Sequence, residues 1–297
     1  MACGPGRALR AAHGLSRACV APLVPLLRLP EPYDFELSTG RYRAFGPDLA
    51  NLWVDGSLRR VVGRREVRIS PARGGVRVEP LDAETRPVVR KLLGTEFDLG
   101  SFYEWAGPEP VLARLTRELA GLRPPLAPDP FESLVTSITA QQISLHAAFS
   151  VRNRLIERFG RRVGQAYSFP TAQRLRRTDP DELVQLGFSH RKAEYVVGLA
   201  AEKIDFAALE QLPDEEIKAR LVAIRGLGEW TADWFLARHL ARPRAWPAGD
   251  LGVRKAVAAF YPEAGDVRAF GERLEPFQNL SAHYLLAALY SDRRLEP

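Results

Sequence analysis

Between residues 33 and 80 apolar and polar positions alternate, and from about residue 86 they recur at three- and four-residue spacing; that change of period divides the chain. Tyr33-Asp34-Phe35-Glu36-Leu37, Val67-Arg68-Ile69-Ser70 and Val76-Arg77-Val78-Glu79 carry the period of two expected of half-buried strands. Asp55-Gly56 lies between two such runs and signals a hairpin, since both residues tolerate positive φ. Arg73-Gly74-Gly75 marks a second turn, so this part predicts a small antiparallel sheet. Further on, Phe131, Leu134, Val135 and Ile138, then Leu145, Ala148, Phe149, Leu155, Ile156 and Phe159, predict two helices. Gln141 and Gln142 interrupt that stripe at the junction, where Ser144 is placed to cap the second helix. Leu183 to Gly187 ends a short helix. Arg191 to Ile204, Asp214 to Ala223, Trp230 to Leu240, Leu251 to Phe260 and Leu280 to Tyr290 predict five more. The fold class is α+β, mainly α. An extension is expected over residues 1–30, an antiparallel sheet domain over 31–115 and a helical body over 116–297.

The 297 residues are 46% hydrophobic, enough for two modest cores, and the net charge is +6. Only Lys91, Lys192, Lys203, Lys218 and Lys255 are lysines; the remaining positive charge is arginine, whose planar fork suits phosphate. Nucleic acid is therefore the leading partner class. Arg59, Arg60, Arg64, Arg65, Arg68, Arg73 and Arg77 form one cluster, opposed only by Glu66. Arg152, Arg154, Arg158, Arg161, Arg162, Arg174, Arg176 and Arg177 form another, with only Glu157 near. A solvated face explains either cluster as well as a binding surface does. Cys3 and Cys19 are the only cysteines, which supports no disulfide framework, zinc site or iron–sulfur cluster. No apolar run reaches transmembrane length. Residues 1–30 hold Arg7, Arg10, Arg17 and Arg28 with no acid before Glu31, a targeting-like composition broken by Pro22, Pro25 and Pro30. They read as a disordered extension.

The most informative stretch is Ile224-Arg225-Gly226-Leu227-Gly228-Glu229-Trp230-Thr231-Ala232, a Gly-x-Gly turn between two helical patterns. Glycine admits unusual φ and lets a ligand approach the backbone. The amides of Gly226, Gly228 and Glu229 then point outward at a helix N-terminus, a ready anion site. The plain alternative is a C-cap and turn. Downstream, Trp246-Pro247-Ala248-Gly249-Asp250-Leu251 places an aspartate at the opening of the next helix, where an ordinary N-cap is the plain alternative.

Together with Pro32-Tyr33-Asp34-Phe35, Phe131 to Val135, Ala140 to Ser144, Leu186 to Ser189 and Arg191 to Tyr195, these motifs resemble the 3-methyladenine DNA glycosylase II family of helix-hairpin-helix DNA glycosylases, from about Pro32 to Tyr290. The resemblance implies a sheet domain on a two-lobed helical body with the active cleft between the lobes. It implies duplex DNA with damaged bases as partner, hairpin amides (with Glu229 and Thr231) on the flanking phosphates, Gln141 or Gln142 as the wedge that fills the emptied stack, and a monovalent cation on the carbonyls of Ile224 and Leu227. No other cofactor is expected. Asp250 is the expected catalytic carboxylate, stabilising an oxocarbenium-like sugar and orienting water. Trp230, Trp234 and Tyr42 are the expected base pocket, since aromatic faces attract cationic bases. Trp230 stands where lyase-active members carry a lysine, so a monofunctional enzyme is expected.

The pattern departs from the family in three places. Arg225 replaces a common proline, Phe277-Gln278-Asn279-Leu280 lacks the usual pocket tryptophan, and the first pocket aromatic is displaced to Arg41 or Tyr42. His283 reads as a core histidine or a late DNA contact. The expected activity is excision of alkylated purines of the 3-methyladenine and 7-methylguanine type. The alternatives are a glycosylase for deaminated or oxidised purines and a DNA-binding module without catalysis. A monomer is expected, cytoplasmic in a bacterium and nuclear or organellar in a eukaryote.

Overall fold

The structure is a computed structural model and describes Met1 and residues 24–292; Cys3, Cys19, Arg7, Arg10 and Arg17 lie outside the described residues. A five-stranded antiparallel sheet opens the fold, in the spatial order Leu26–Arg28, Gly75–Glu79, Arg65–Ala72, Ser57–Val62, Leu52–Val54. Asp55 and Gly56 adopt φ of 49° and 64° and close the hairpin in which Val54 faces Ser57. Val67, Ile69, Val76 and Val78 are fully buried on one face of the sheet, where Val89 and Leu92 of helix Thr85–Leu92 cover them.

Two expectations change here. Strand Leu26–Arg28 pairs with Gly75–Glu79 from within the stretch expected to be an extension. Tyr33 to Leu37 is not a strand: Asp34 accepts a hydrogen bond from the Leu37 amide at 2.8 Å and starts helix Phe35–Thr39, followed by Arg41–Ala44. A local N-cap overrides a short alternation. Packing also divides the chain earlier than residue 115. Leu93 closes the core of the sheet unit, and from Phe97 onward buried residues, including those of helices Leu99–Ala106 and Pro110–Glu118, join the helical core.

The helical body follows the periodicity closely. Helix Pro130–Ala140 buries Leu134, Val135 and Ile138, and Ser144 caps Leu145–Phe159 through the Ala147 amide. Helices Asp214–Val222 and Glu229–Arg238 form the arms of the hairpin, Leu251–Phe260 follows, and Gln278–Asp292 closes the fold. No helix among the described residues is long and apolar enough to cross a membrane.

The two units are joined by charge. Arg60 of the sheet reaches Glu132 at 2.6 Å, Arg152 reaches the same carboxylate at 2.6 Å and Asp48 at 2.5 Å, and all four side chains are buried. Both arginine clusters read from the sequence therefore contain members that never face a ligand. Arg59 is likewise spent on Glu66, and Arg65 on Asp82 and Glu84.

Candidate active site

Gly226 requires glycine for two reasons. Its φ is +94°, and a Cβ there would overlap the Tyr195 ring. Gly228 is different: its φ of −107° suits any residue, and a Cβ would meet nothing within 4 Å. What the second glycine provides is open space in front of helix Glu229–Arg238. No side chain caps that helix, and the amides of Gly226, Gly228 and Glu229 donate to no acceptor among the described residues. Free amides at a helix start carry partial positive charge, so the turn is built to receive an anion. Thr231 is not part of that receptor: it is buried, and its amide donates to the Gly228 carbonyl at 3.0 Å. The Leu227 carbonyl accepts nothing among the described residues, and the Ile224 carbonyl keeps a lone pair beyond the Leu227 amide it accepts at 3.0 Å. These oxygens fit a monovalent cation in donor type.

Across the junction, the Gln141 side-chain amide donates to the Gly226 carbonyl at 2.9 Å, which ties it to the hairpin. Gln142 is exposed and adopts φ of 56°, an uncommon region for a side chain of its size.

Asp250 splits its carboxylate between two tasks. Oδ1 accepts from the Val253 amide at 3.0 Å and caps helix Leu251–Phe260. Oδ2 accepts from the indole N–H groups of Trp230 at 2.8 Å and Trp234 at 3.0 Å. The two tryptophans, one helical turn apart, hold the carboxylate rather than offering free faces. Trp234 is almost wholly buried and one ring face is covered by the Arg238 guanidinium, 3.5 Å from the centroid, which removes it as a stacking platform. Tyr42 is also more structural than expected, since it is buried and its hydroxyl donates to the Leu92 carbonyl at 3.0 Å.

Asp250 opens on a cavity of about 700 Å³ at the junction of the two units, lined by Arg41, Phe45, Trp230, Arg238, His283 and Tyr290 among others. Phe45, Arg238, His283 and Tyr290 were not assigned there from sequence. Phe45 meets Tyr290 edge-on at 5.8 Å between centroids. Arg238 follows Trp230 and Trp234 at the next helical turn, so the spacing that singled out the tryptophans also contained it. His283 sits 5.8 Å from the Trp234 ring, and burial, reinforced by Arg238 and Arg41, lowers its pKa and keeps the imidazole neutral. Trp246 is structural, with its N–H on the Val267 carbonyl at 2.8 Å. Phe277 packs on Phe102 and Trp105 in the helical core.

Comparison with known proteins agrees with this geometry. Residues 135–275 match the model of the HhH-GPD superfamily of base excision DNA repair proteins. The chain is 29% identical over 228 residues to a DNA-3-methyladenine glycosylase of Bacillus subtilis, covering 71% of this chain and 75% of that one. It superposes on a 3-methyladenine DNA glycosylase from Archaeoglobus fulgidus with a TM-score of 0.78 and 27% identity, over 88% of this chain and 96% of that one. A DNA-3-methyladenine glycosidase from Bacillus halodurans shares 30% identity over 63% of this chain and 88% of its own, with a TM-score of 0.51. With an uncapped glycine turn beside a carboxylate at a deep cavity, and these relatives across nearly its whole length, the chain belongs to the HhH-GPD superfamily of base excision DNA repair proteins, the helix-hairpin-helix DNA glycosylases.

Proposed function

We propose that the protein is a monofunctional glycosylase that releases damaged purines, alkylated ones included, from duplex DNA. The observation that carries this reading is Asp250, fixed by two indole N–H groups and a helix amide at the wall of a cavity large enough for a base. A base inside the stack is out of reach, so the nucleotide swings out into the cavity. The phosphates beside it rest on the amides of Gly226, Gly228 and Glu229, with a cation on the Ile224 and Leu227 carbonyls adding positive charge. Gln142, exposed and free of the tie that holds Gln141, takes the vacated place in the duplex.

As the bond from C1′ to the base weakens, positive charge grows on the sugar, and a carboxylate already held in place by three donors stabilises it without reorganising. The indole donors keep Asp250 from turning away. Trp230 offers no amine for a Schiff base, so an abasic site is the product. The relatives named for 3-methyladenine release support alkylated purines as substrates.

The test is base release and DNA binding by the wild type and Asp250→Asn in parallel. Release should drop by about 100-fold or more, the size of losing one preorganised electrostatic stabiliser, while affinity for the duplex stays within about threefold, far less than the tenfold that 1.4 kcal/mol represents. If release survives the substitution, Asp250 is a cap and the chemistry lies elsewhere.

A further inference from the structure

We infer that Arg41 and Arg238 form an acceptor-reading site inside the base cavity, so that this enzyme ranks neutral, carbonyl-bearing damaged purines above cationic N-alkylpurines. The inference deepens the glycosylase reading and rests on it.

Both guanidinia line the cavity together with Asp250. Among the described residues neither lies within 4.0 Å of a carboxylate, and neither donates a hydrogen bond. Arg238 Nε is buried without a partner, and so is Nε2 of His283 beside it. A buried donor left unsatisfied is destabilising, and such groups in a native fold call for a ligand or a solvent partner. Arg238 is held by stacking on Trp234, and Arg41 lies 5.9 Å from the Phe45 ring, so both are placed by aromatic faces that leave their N–H edges free. Guanidinium carries donors only. The ligand that satisfies this wall carries acceptors: the carbonyl oxygen and ring nitrogens of an oxopurine such as hypoxanthine.

Charge points the same way. Glu36, Asp48 and Glu132 also line the cavity, but each is paired with an arginine, Arg43, Arg152 or Arg60. That leaves Asp250, its Oδ2 already shared by two indoles, beside the two guanidinia that have no carboxylate partner. A positively charged base entering that space is repelled by both arginines, whereas a neutral one is not. The chemistry of departure differs as well. A cationic base leaves as a neutral molecule and needs little help. For a neutral base, the bond from C1′ to nitrogen breaks with its electron pair going to the base, and water adds its oxygen to C1′. One water proton ends on the base nitrogen and the other remains on the new C1′ hydroxyl. Negative charge builds on the base before that proton arrives, and the guanidinium donors stabilise it without giving up a proton themselves. The site thereby supplies electrophilic assistance where no side-chain acid is needed.

The experiment compares kcat/KM for release of hypoxanthine and of 3-methyladenine, a cationic base in DNA with no carbonyl, from otherwise identical duplexes. It uses the wild type, Arg41→Met, Arg238→Met and the charge-retaining Arg41→Lys and Arg238→Lys, with circular dichroism to verify the fold. The ratio of hypoxanthine to 3-methyladenine release should fall by about tenfold or more in each Met variant, the size of one lost hydrogen bond to a charged group. The Lys variants should keep part of the preference, which a purely structural role of the arginines would not produce. A ratio unchanged in all four folded variants, or one that rises in the Met variants, overturns the inference while leaving Asp250-dependent catalysis intact. If the wild type releases neither base in an Asp250-dependent manner, the glycosylase reading falls first and the inference with it. Should a Met variant fail to fold, the Lys variant of the same residue decides by whether it shifts the ratio.

Discussion

Arg60 and Arg152 at the junction of the two units, and Arg41 and Arg238 in the cavity wall, are the same residue type in opposite surroundings, the first two buried and the second two half-buried against the cavity. The first pair shares Glu132 and adds Asp48 and Asn51, at distances of 2.5 to 2.7 Å. Burial pushes the pKa of each down, and the carboxylates more than reverse it. For Arg41 and Arg238 burial wins: both are lowered, Arg238 strongly and with Arg41 as the next cause. A buried charge with its counter-charge is joinery. A buried charge without one is a site awaiting a ligand. Composition and clustering treat all four alike, and only the partners separate them.

Removing the shared partner tests the first half of this contrast most severely. Glu132→Ala takes a carboxylate from two guanidinia at once, leaving Arg60 with only Asn51 and Arg152 with only Asp48, and breaking a buried pair by deleting one member is worth about 3–5 kcal/mol. Urea unfolding should show a loss of at least that size, or a separate early transition of the sheet unit. A loss below about 1 kcal/mol, the range of exposed pairs, would mean the network is not what joins the units.

Deleting one arginine from each pair gives a smaller and more discriminating effect. Arg152→Met leaves Asp48 without its counter-charge and Glu132 with Arg60 alone, and should again lower stability by several kcal/mol, on the order of 3. Arg238→Met gives up a stacked cation worth about 1–2 kcal/mol but also removes an unpaired buried charge. The two terms oppose, and the net change expected at the thermal midpoint is within about 1 kcal/mol. Equal destabilisation by both substitutions would erase the distinction between joinery and site.

That distinction also marks where the sequence stopped being legible. The helices could be read because each carries its own apolar stripe and cap: Ser144 starts one, and Leu251–Phe260 runs between the limits its pattern set. Asp250 and the hairpin could be read because they are local motifs. Phe35–Thr39 was missed because five alternating residues carry less information than the Asp34 cap that precedes them. Arg41 was read only as one of two places for a displaced pocket aromatic, since the Arg238 and His283 it joins in the cavity wall lie far along the chain. Arg238 was not: it continues the Trp230–Trp234 face, and extending that face by one turn would have found it. The tryptophans were read as base platforms and not as donors to Asp250, because an indole's ring face and its N–H are not distinguished by periodicity.

Acid sensitivity sharpens the comparison at the smallest scale, since each region holds a group whose pKa folding lowers, His283 in one and Asp48 in the other. In the cavity, His283 is kept neutral by burial and by the two guanidinia, its folded pKa lying well below 6.5. On unfolding it regains its ordinary value, so below about pH 6.5 the unfolded chain binds a proton the folded one refuses. Stability is therefore lost as pH falls from there, by up to about 1.4 kcal/mol per pH unit for one site. At the junction, burial would raise Asp48, but Arg152 and the hydrogen bonds from Asn51 override it and lower its pKa. Its contribution is complete above its unfolded value near 3.9 and is lost only as pH falls through the depressed folded one. Two limbs should appear in a plot of unfolding free energy against pH: an upper one beginning near 6.5 and a lower one beginning near 4. His283→Gln should flatten the upper limb and leave the lower in place. If the upper limb persists in that variant, it belongs to another group, and His283 is not the residue that refuses the proton in the folded state.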